Sequence, residues 1–134
     1  MLVVDNSVTV CWLFADQATD YTRAVREHVI EHGANMPVLW RLEVLNVIAV
    51  AERQRKISSV QGDRFLELLA ALAIVVEDLP SSERTLAYAG QHQLSAYDAT
   101  YLAFAVAHRL TLATLDGGLM RAAEAIGQPL FSLT

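Results

Sequence analysis

The sequence is short of several residue types, and each shortage narrows the class of protein. One cysteine, Cys11, excludes an internal disulfide and any zinc site built from several cysteines. There is no Pro-, Gly- or Ser-rich linker, so we expect a single domain over residues 1–134. The longest uncharged apolar run, residues 68–76, is too short to span a bilayer, and no basic region precedes a long apolar stretch at the N-terminus. We therefore expect a cytoplasmic protein that does not bind a membrane.

Positive charge is also scarce, which bears on nucleic-acid binding. Ten Lys and Arg face 15 Asp and Glu, and the net charge is −5. Nucleic-acid binders usually carry a basic surface, so this balance taken alone disfavours a nuclease. Two bound divalent cations would cancel most of the excess, however, and the charge alone therefore decides nothing.

Apolar residues make up 54% of the chain and charged residues 19%, which is enough to form a substantial core. Short apolar runs predict strands at residues 2–4, 36–39, 74–76, 111–115 and 129–133. Helical spacing and capping residues predict helices at residues 7–14, 20–32, 40–53, 59–73, 81–92, 95–108 and 117–126. Strands that alternate with helices predict an α/β domain with a parallel sheet covered on both faces.

Four acids lie where such a sheet would present its functional edge. Asp5 and Asp116 each follow a predicted strand. Asp98 lies in the first turn of the helix that leads into the fourth strand, and Glu43 lies one turn into the helix after the second strand. Because ligands of open α/β sheets bind beyond the carboxyl ends of the strands, we expect these carboxylates to share one edge.

Each acid also has a purely structural explanation. Asp5 and Asp116 could cap the helices that follow them. Asp98 stands three residues after Ser95, as in a capping box, and Glu43 could be a solvated helix residue. For one acid alone the structural explanation is favoured, whereas four acids at one predicted edge favour a functional site.

A cluster of four carboxylates supports a specific chemistry. The like charges repel one another, so they are stable together as anions only with cations between them. Oxygen ligands select Mg²⁺ or Mn²⁺ over zinc. One or two such ions can activate a water and stabilise the leaving oxygen in phosphodiester cleavage, with no nucleophilic side chain required.

The chain resembles the PIN-domain nucleases, and more closely the VapC toxins of toxin–antitoxin pairs. The resemblance covers nearly the whole chain and rests on residues 3–7 (Val-Val-Asp-Asn-Ser), 43–46 (Glu-Val-Leu-Asn), 97–103 (Tyr-Asp-Ala-Thr-Tyr-Leu-Ala) and 114–116 (Thr-Leu-Asp). It implies a three-layer α/β/α fold with a central parallel sheet of four to five short strands. It also implies that the catalytic, metal-binding acids are Asp5, Glu43, Asp98 and Asp116.

The same resemblance implies further roles and partners. Ser7 and Thr114 would support the acids by hydrogen bonds, and Asn46, one turn after Glu43, could face the site or lie on the surface. The chain would be a Mg²⁺- or Mn²⁺-dependent ribonuclease that forms a homodimer and is inhibited by a cognate antitoxin. One departure from the family is Gly117-Gly118, where relatives often carry basic or polar residues.

Other residues and other functions remain open. Arg41, Arg109 and Arg121 could contact phosphate or form salt bridges. A groove for an antitoxin helix could be formed by Trp12, Phe14, Trp40 and Phe65. The alternatives are a housekeeping RNA-processing nuclease and an inactive binding module of the same fold. A haloacid-dehalogenase-like phosphatase is disfavoured, because a second aspartate is required where Ser7 stands.

Overall fold

The computed structural model describes residues 1–133, so the last residue of the predicted domain, position 134, lies outside the described part. Four parallel strands form one sheet. They are β1 (Leu2–Val4), β2 (Ala34–Pro37), β3 (Ile74–Glu77) and β4 (Thr111–Ala113), in the spatial order β3-β2-β1-β4. Because all pairs are parallel, the four carboxyl ends meet at one edge.

Seven α-helices within residues 1–133 flank this sheet. They are α1 (Asn6–Leu13), α2 (Asp20–His32), α3 (Val38–Arg53), α4 (Ser59–Ala70), α5 (Ser82–His92), α6 (Ala96–His108) and α7 (Gly117–Ile126). A short 3₁₀ turn, Ala15–Gln17, follows α1 and was not predicted. The predicted three-layer α/β/α arrangement is confirmed.

The second strand is shifted from its predicted position. It begins at Ala34, directly after Gly33, whose φ of 76° favours glycine and where a Cβ would lie 2.6 Å from the carbonyl oxygen of Ala73. It ends at Pro37, and the two residues predicted to end the strand, Val38 and Leu39, begin α3 instead. Their apolar character suited both structures, so composition did not separate strand from helix.

The prediction of a fifth strand at residues 129–133 is wrong for the described residues. This segment makes one isolated parallel bridge, between Leu130 and Leu112. The amide of Phe131 donates to the carbonyl of Leu112 (2.9 Å), and the amide of Leu112 donates to the carbonyl of Pro129 (3.0 Å). Pro129 has no amide hydrogen with which to extend a ladder. Two other elements end earlier than predicted, β4 at Ala113 and α4 at Ala70.

The core is centred on α6, which is buried around most of its circumference. Tyr101, Leu102 and Phe104 are 1%, 0% and 0% exposed, and α6 packs against β1, β2 and β4. A helix that is apolar all round belongs inside a domain, as here. Because α6 leads into the amino end of β4, the first turn of α6 lies at the carboxyl edge of the sheet. Within residues 1–133 we find no helix with the length and apolarity needed to cross a membrane.

Candidate active site

Asp5 is the most buried of the four acids, with 3% of its surface exposed. It directly follows β1, which points its carboxylate beyond the sheet edge. The hydroxyl of Ser7 donates to Oδ1 (2.6 Å), and the hydroxyl of Thr114 donates to Oδ2 (2.5 Å). Both oxygens of Asp5 are thus held by the two residues predicted to support the acids.

The orientation of these two hydroxyls is fixed by the backbone after β4. The amide of Leu115 donates to Ser7 Oγ (2.9 Å), and the amide of Asp116 donates to Thr114 Oγ1 (3.0 Å). Because each hydroxyl oxygen accepts from an amide, its proton is free to point at Asp5. Thr114 directly follows β4, whose last residue, Ala113, pairs with the last residue of β1, Val4.

Burial raises the pKa of Asp5 from its ordinary value of 3.8 to about 6. The hydrogen bonds from Ser7 and Thr114 favour the anion and limit the rise, whereas the charge of Asp98 adds to it. Two hydroxyl donors therefore hold the Asp5 carboxyl in a place where burial disfavours its charge.

Glu43 is half-buried on α3, and its Oε1 accepts a 2.6 Å hydrogen bond from the hydroxyl of Tyr101. Burial raises the pKa of Glu43, and the charge of Asp98 raises it further against the effect of that hydrogen bond. The pKa of Tyr101 is also raised, first by burial and then by its bond to Glu43, so Tyr101 stays a donor.

Tyr101 is the site residue that the sequence analysis missed. It stands three residues after Asp98 on α6, a spacing that places both side chains on the same helix face. That spacing was available in the sequence, but Tyr101 was counted only as part of a family motif.

Asp98 connects the acids electrostatically. Burial raises its pKa, and the charge of Asp116 raises it further. Its own charge raises the pKa of Asp5 and of Glu43. The N-cap half of the predicted capping box is present, because the Asp98 amide donates to Ser95 Oγ (3.0 Å). A side-chain hydrogen bond with Ser95 lowers the pKa of Asp98 against the two effects that raise it.

Asp116 does cap a helix, as its structural explanation proposed. Its Oδ2 accepts from the amide of Leu119 (2.8 Å) at the start of α7. The two glycines that follow leave little space: a Cβ on Gly118 would lie 3.3 Å from Asp116 Oδ2, and one on Gly117 would lie 3.2 Å from Arg121 Nη1. The glycine pair thus accommodates both Asp116 and the guanidinium of Arg121.

The remaining polar candidates lie in different places. Asn46 is exposed and, among the described residues, forms no hydrogen bond with the acids. Arg109 follows α6 ahead of the amino end of β4, opposite the acidic edge, which is the carboxyl edge of the sheet that carries the four acids. Arg41 borders a cavity between α3 and α4. Within residues 1–133, Arg41, Arg109 and Arg121 make no ion pair. Of these arginines, we place only Arg121 beside one of the acids.

The four aromatic residues do not form a single groove. Phe65 and Trp40 are core residues, 7% and 5% exposed, and the Trp40 indole donates to Thr9 Oγ1 (3.0 Å). The Trp12 indole donates to the carbonyl of Thr22 (3.0 Å), on α2. Phe14 lines a separate cavity of about 220 Å³ beside α3. The predicted groove is therefore wrong in this form.

The donor set fits a hard cation, with one restriction. In the described part of the chain, no three His, Cys, Asp or Glu side chains lie close enough to hold one ion among them. Mg²⁺ usually retains several waters and takes only one or two carboxylates directly. The acids are coupled in pairs through Asp98, with Asp5, Glu43 and Asp116, which suits that mode of binding.

Comparison with known proteins gives one family and several similar structures. The sequence pattern of the PIN domain matches residues 2–125. No curated protein matches the chain. PAE2754 from Pyrobaculum aerophilum is 21% identical with a TM-score of 0.71, over 90% of this chain and 83% of that one. FitAcB from Neisseria gonorrhoeae (20%, TM-score 0.68) and a toxin–antitoxin complex from Klebsiella pneumoniae (16%, TM-score 0.67) each match 98% of this chain and 97% of theirs. At these identities the likeness shows a shared fold.

Proposed function

This chain belongs to the PIN-domain family, and on that premise we propose that it is a Mg²⁺- or Mn²⁺-dependent endoribonuclease, the toxin of a VapBC-type toxin–antitoxin pair. One observation carries the proposal. Asp5 is buried, clamped by two hydroxyls, and coupled through Asp98 to Glu43 and Asp116. A structural role would require neither the desolvation of Asp5 nor the electrostatic repulsion among these acids.

The metal ligands would come from Asp5, Glu43, Asp98 and Asp116, with one or two of these acids binding an ion directly and the others acting through its waters. A bound ion would supply an activated water and charge stabilisation at the leaving oxygen of the RNA backbone. Around it, Ser7 and Thr114 would orient Asp5 in the way that hydrogen-bonded partners usually orient metal ligands.

Protonation is compatible with this role at neutral pH. With a pKa of about 6, Asp5 is mostly ionised at pH 7, and a bound cation would favour the anion further. Tyr101 keeps its proton and goes on donating to Glu43, because the pKa of its phenol is raised. Asp5 would therefore present an anion, held by two hydroxyls, before any ion arrives.

Catalysis is tested with the purified protein and a labelled RNA. We expect Mg²⁺ to support cleavage and excess EDTA to abolish it. Asp98→Asn should abolish cleavage without unfolding the protein, while Asp63→Asn, an exposed acid on α4, serves as the matched control. Substantial cleavage by Asp98→Asn would refute the site, and no cleavage by the wild type would favour the inactive binding module.

The toxin role is supported by the likeness of 98% of this chain to 97% of a chain from a toxin–antitoxin complex. We propose that an antitoxin arginine pairs with the acids and displaces metal. Expression of the chain alone in the cytoplasm should arrest cell growth. Asp5→Asn, or co-expression of a neighbouring small gene, should restore growth. If high expression is harmless and no small partner copurifies, the housekeeping RNA-processing nuclease takes the place of the toxin.

We also propose that the chain is a homodimer through α3 and α4. Leu42 and Leu45 on α3 are 62% and 43% exposed, and Leu45 and Leu66 border a cavity of about 320 Å³ between α3, α4 and β3. Exposed apolar residues of this kind mark association surfaces. Light scattering should give a dimer for the wild type and a monomer for Leu45→Glu. A monomeric wild type would contradict the dimer.

A further inference from the structure

A small open cavity lies directly beside Asp5's support, Thr114. Its volume is about 150 Å³, and it is lined by Tyr21, Thr114, Leu115, Met120, Leu130 and Phe131. Thr114 is shared with the acidic edge, because its hydroxyl donates to Asp5. A molecule in this cavity would therefore lie next to whatever the carboxylates bind.

The aromatic walls of the cavity are fixed in place. The hydroxyl of Tyr21 donates to the carbonyl of Phe131 (3.1 Å), and the two rings meet edge to face with centroids 5.8 Å apart. The ring of His28 also packs against Phe131, with the ring centroids 5.5 Å apart. The bridge to Leu112 anchors the segment that carries Phe131. The cavity is thus preformed by α2, α7 and residues 130–131.

The lining suits a flat, uncharged ring. It contains no charged side chain to pair with a phosphate, whereas Tyr21, Phe131 and Met120 offer aromatic and polarisable contacts. Single-stranded RNA presents such rings when its bases splay out and stack on aromatic side chains. The phosphate of that nucleotide would remain outside the cavity, whose lining residues Thr114 and Leu115 directly precede Asp116 in the chain.

We propose that this cavity, the base pocket, receives one unpaired nucleobase of the RNA substrate, next to the phosphodiester at the Asp5 edge. The inference rests on the proposed ribonuclease function and adds a base-binding subsite to it, formed by residues other than the four acids. Because few polar atoms line the base pocket, it selects an unstacked base without reading its identity.

The test is RNA binding in EDTA, where no cleavage occurs. The probe is a single-stranded RNA about six nucleotides long, carrying one 2-aminopurine at successive positions. Phe131→Ala should weaken binding by about 5- to 100-fold, the usual effect of removing a stacking partner. Met120→Phe fills the base pocket without removing a wall and should weaken binding similarly. Leu86→Ala, on α5 and 67% exposed, is the control, and melting temperatures confirm that each variant is folded.

A second measurement locates the base. RNAs with a single abasic nucleotide should bind the wild type more weakly when the missing base is the one that enters the base pocket. That loss of affinity should vanish in Phe131→Ala, as expected for two changes that remove one contact. Wild-type affinity in both folded variants, or an abasic loss that persists in Phe131→Ala, would overturn the base pocket. Variants that still bind RNA with wild-type affinity but no longer bind a small protein partner would overturn it too. Cleavage of RNA by the wild type in Mg²⁺ separates this failure from failure of the nuclease proposal.

Discussion

Replacement of Asp5 by asparagine should change how the stability of the protein depends on pH. The folded-state pKa of Asp5 is about 6 against an ordinary value of 3.8, a difference of about two units. Folding therefore favours the protonated acid, and the stability that this proton provides is complete below pH 3.8 and lost as the pH rises through 6. At about 1.4 kcal/mol per unit, ionised Asp5 costs the folded state about 3 kcal/mol.

The amide that Asp5→Asn introduces carries no charge, so this loss should be absent from the variant. The free energy of unfolding of Asp5→Asn, minus that of the wild type, should increase by about 3 kcal/mol between pH 3.5 and pH 7.5, or by about 10 °C in melting temperature. The absolute difference includes the poorer match of an amide to Ser7 and Thr114, but that contribution does not titrate. Urea unfolding in EDTA, followed by circular dichroism at several pH values, measures both proteins. A difference that stays flat from pH 3.5 to pH 7.5, or that falls, would refute the burial of an ionisable Asp5.

Further predictions concern the groups around Asp5 and the effect of Mg²⁺. Thr114→Val removes the donor to Asp5 and the acceptor for the Asp116 amide, so it should destabilise the fold by about 1–3 kcal/mol. Because the lost hydrogen bond lowers the pKa of Asp5, the acidic limb of the cleavage–pH profile should move to higher pH. An unchanged profile would contradict the role of Thr114. Tyr101→Phe leaves Glu43 without its donor and should weaken Mg²⁺ binding by about 10- to 100-fold in calorimetry while the protein still folds; wild-type affinity would show that Tyr101 does not position Glu43. Mg²⁺ at about 100 times its Kd should stabilise the wild type by about 2.7 kcal/mol in a melting assay. Asp116→Asn should raise the melting temperature in EDTA, because it removes repulsion between Asp116 and Asp98, and should reduce the stabilisation by Mg²⁺. A variant that melts at or below the wild type in EDTA would count against this repulsion.

The elements that could be predicted from the sequence are those with strong local patterns. The first strand is a short apolar run closed by Asp5, and α7 begins at a capping Asp followed by two glycines. Val38 and Leu39 were placed in the wrong element because apolar residues satisfy both a buried strand and a buried helix. The segment 129–133 resembled a strand by composition, but strand formation also needs a partner ladder, and only Leu130 makes one bridge.

The acids of the site could be proposed from the sequence because each stands at a predicted strand or helix end. Their supports are harder to predict, since they depend on distant segments. Ser7 and Thr114 meet across 107 residues, and Tyr101 reaches Glu43 across 58. The family resemblance suggested Ser7 and Thr114, but nothing in the local pattern around Tyr101 separates a buried hydroxyl that holds Glu43 from an ordinary core aromatic. Likewise, the base pocket exists only because the chain's last described segment packs against α2.

The proposed ribonuclease chemistry depends above all on a divalent cation held by the acidic edge. Isothermal titration calorimetry with Mg²⁺ or Mn²⁺ near pH 6, in two buffers of different ionisation heat, measures both binding and proton release. We predict that the wild type binds the ion and releases protons, because Asp5 is about half protonated at that pH, and that Asp98→Asn binds at least about ten-fold more weakly. Equal affinity in wild type and Asp98→Asn, or no binding by the wild type at millimolar ion, would contradict the claim that Asp5, Glu43, Asp98 and Asp116 form a metal site.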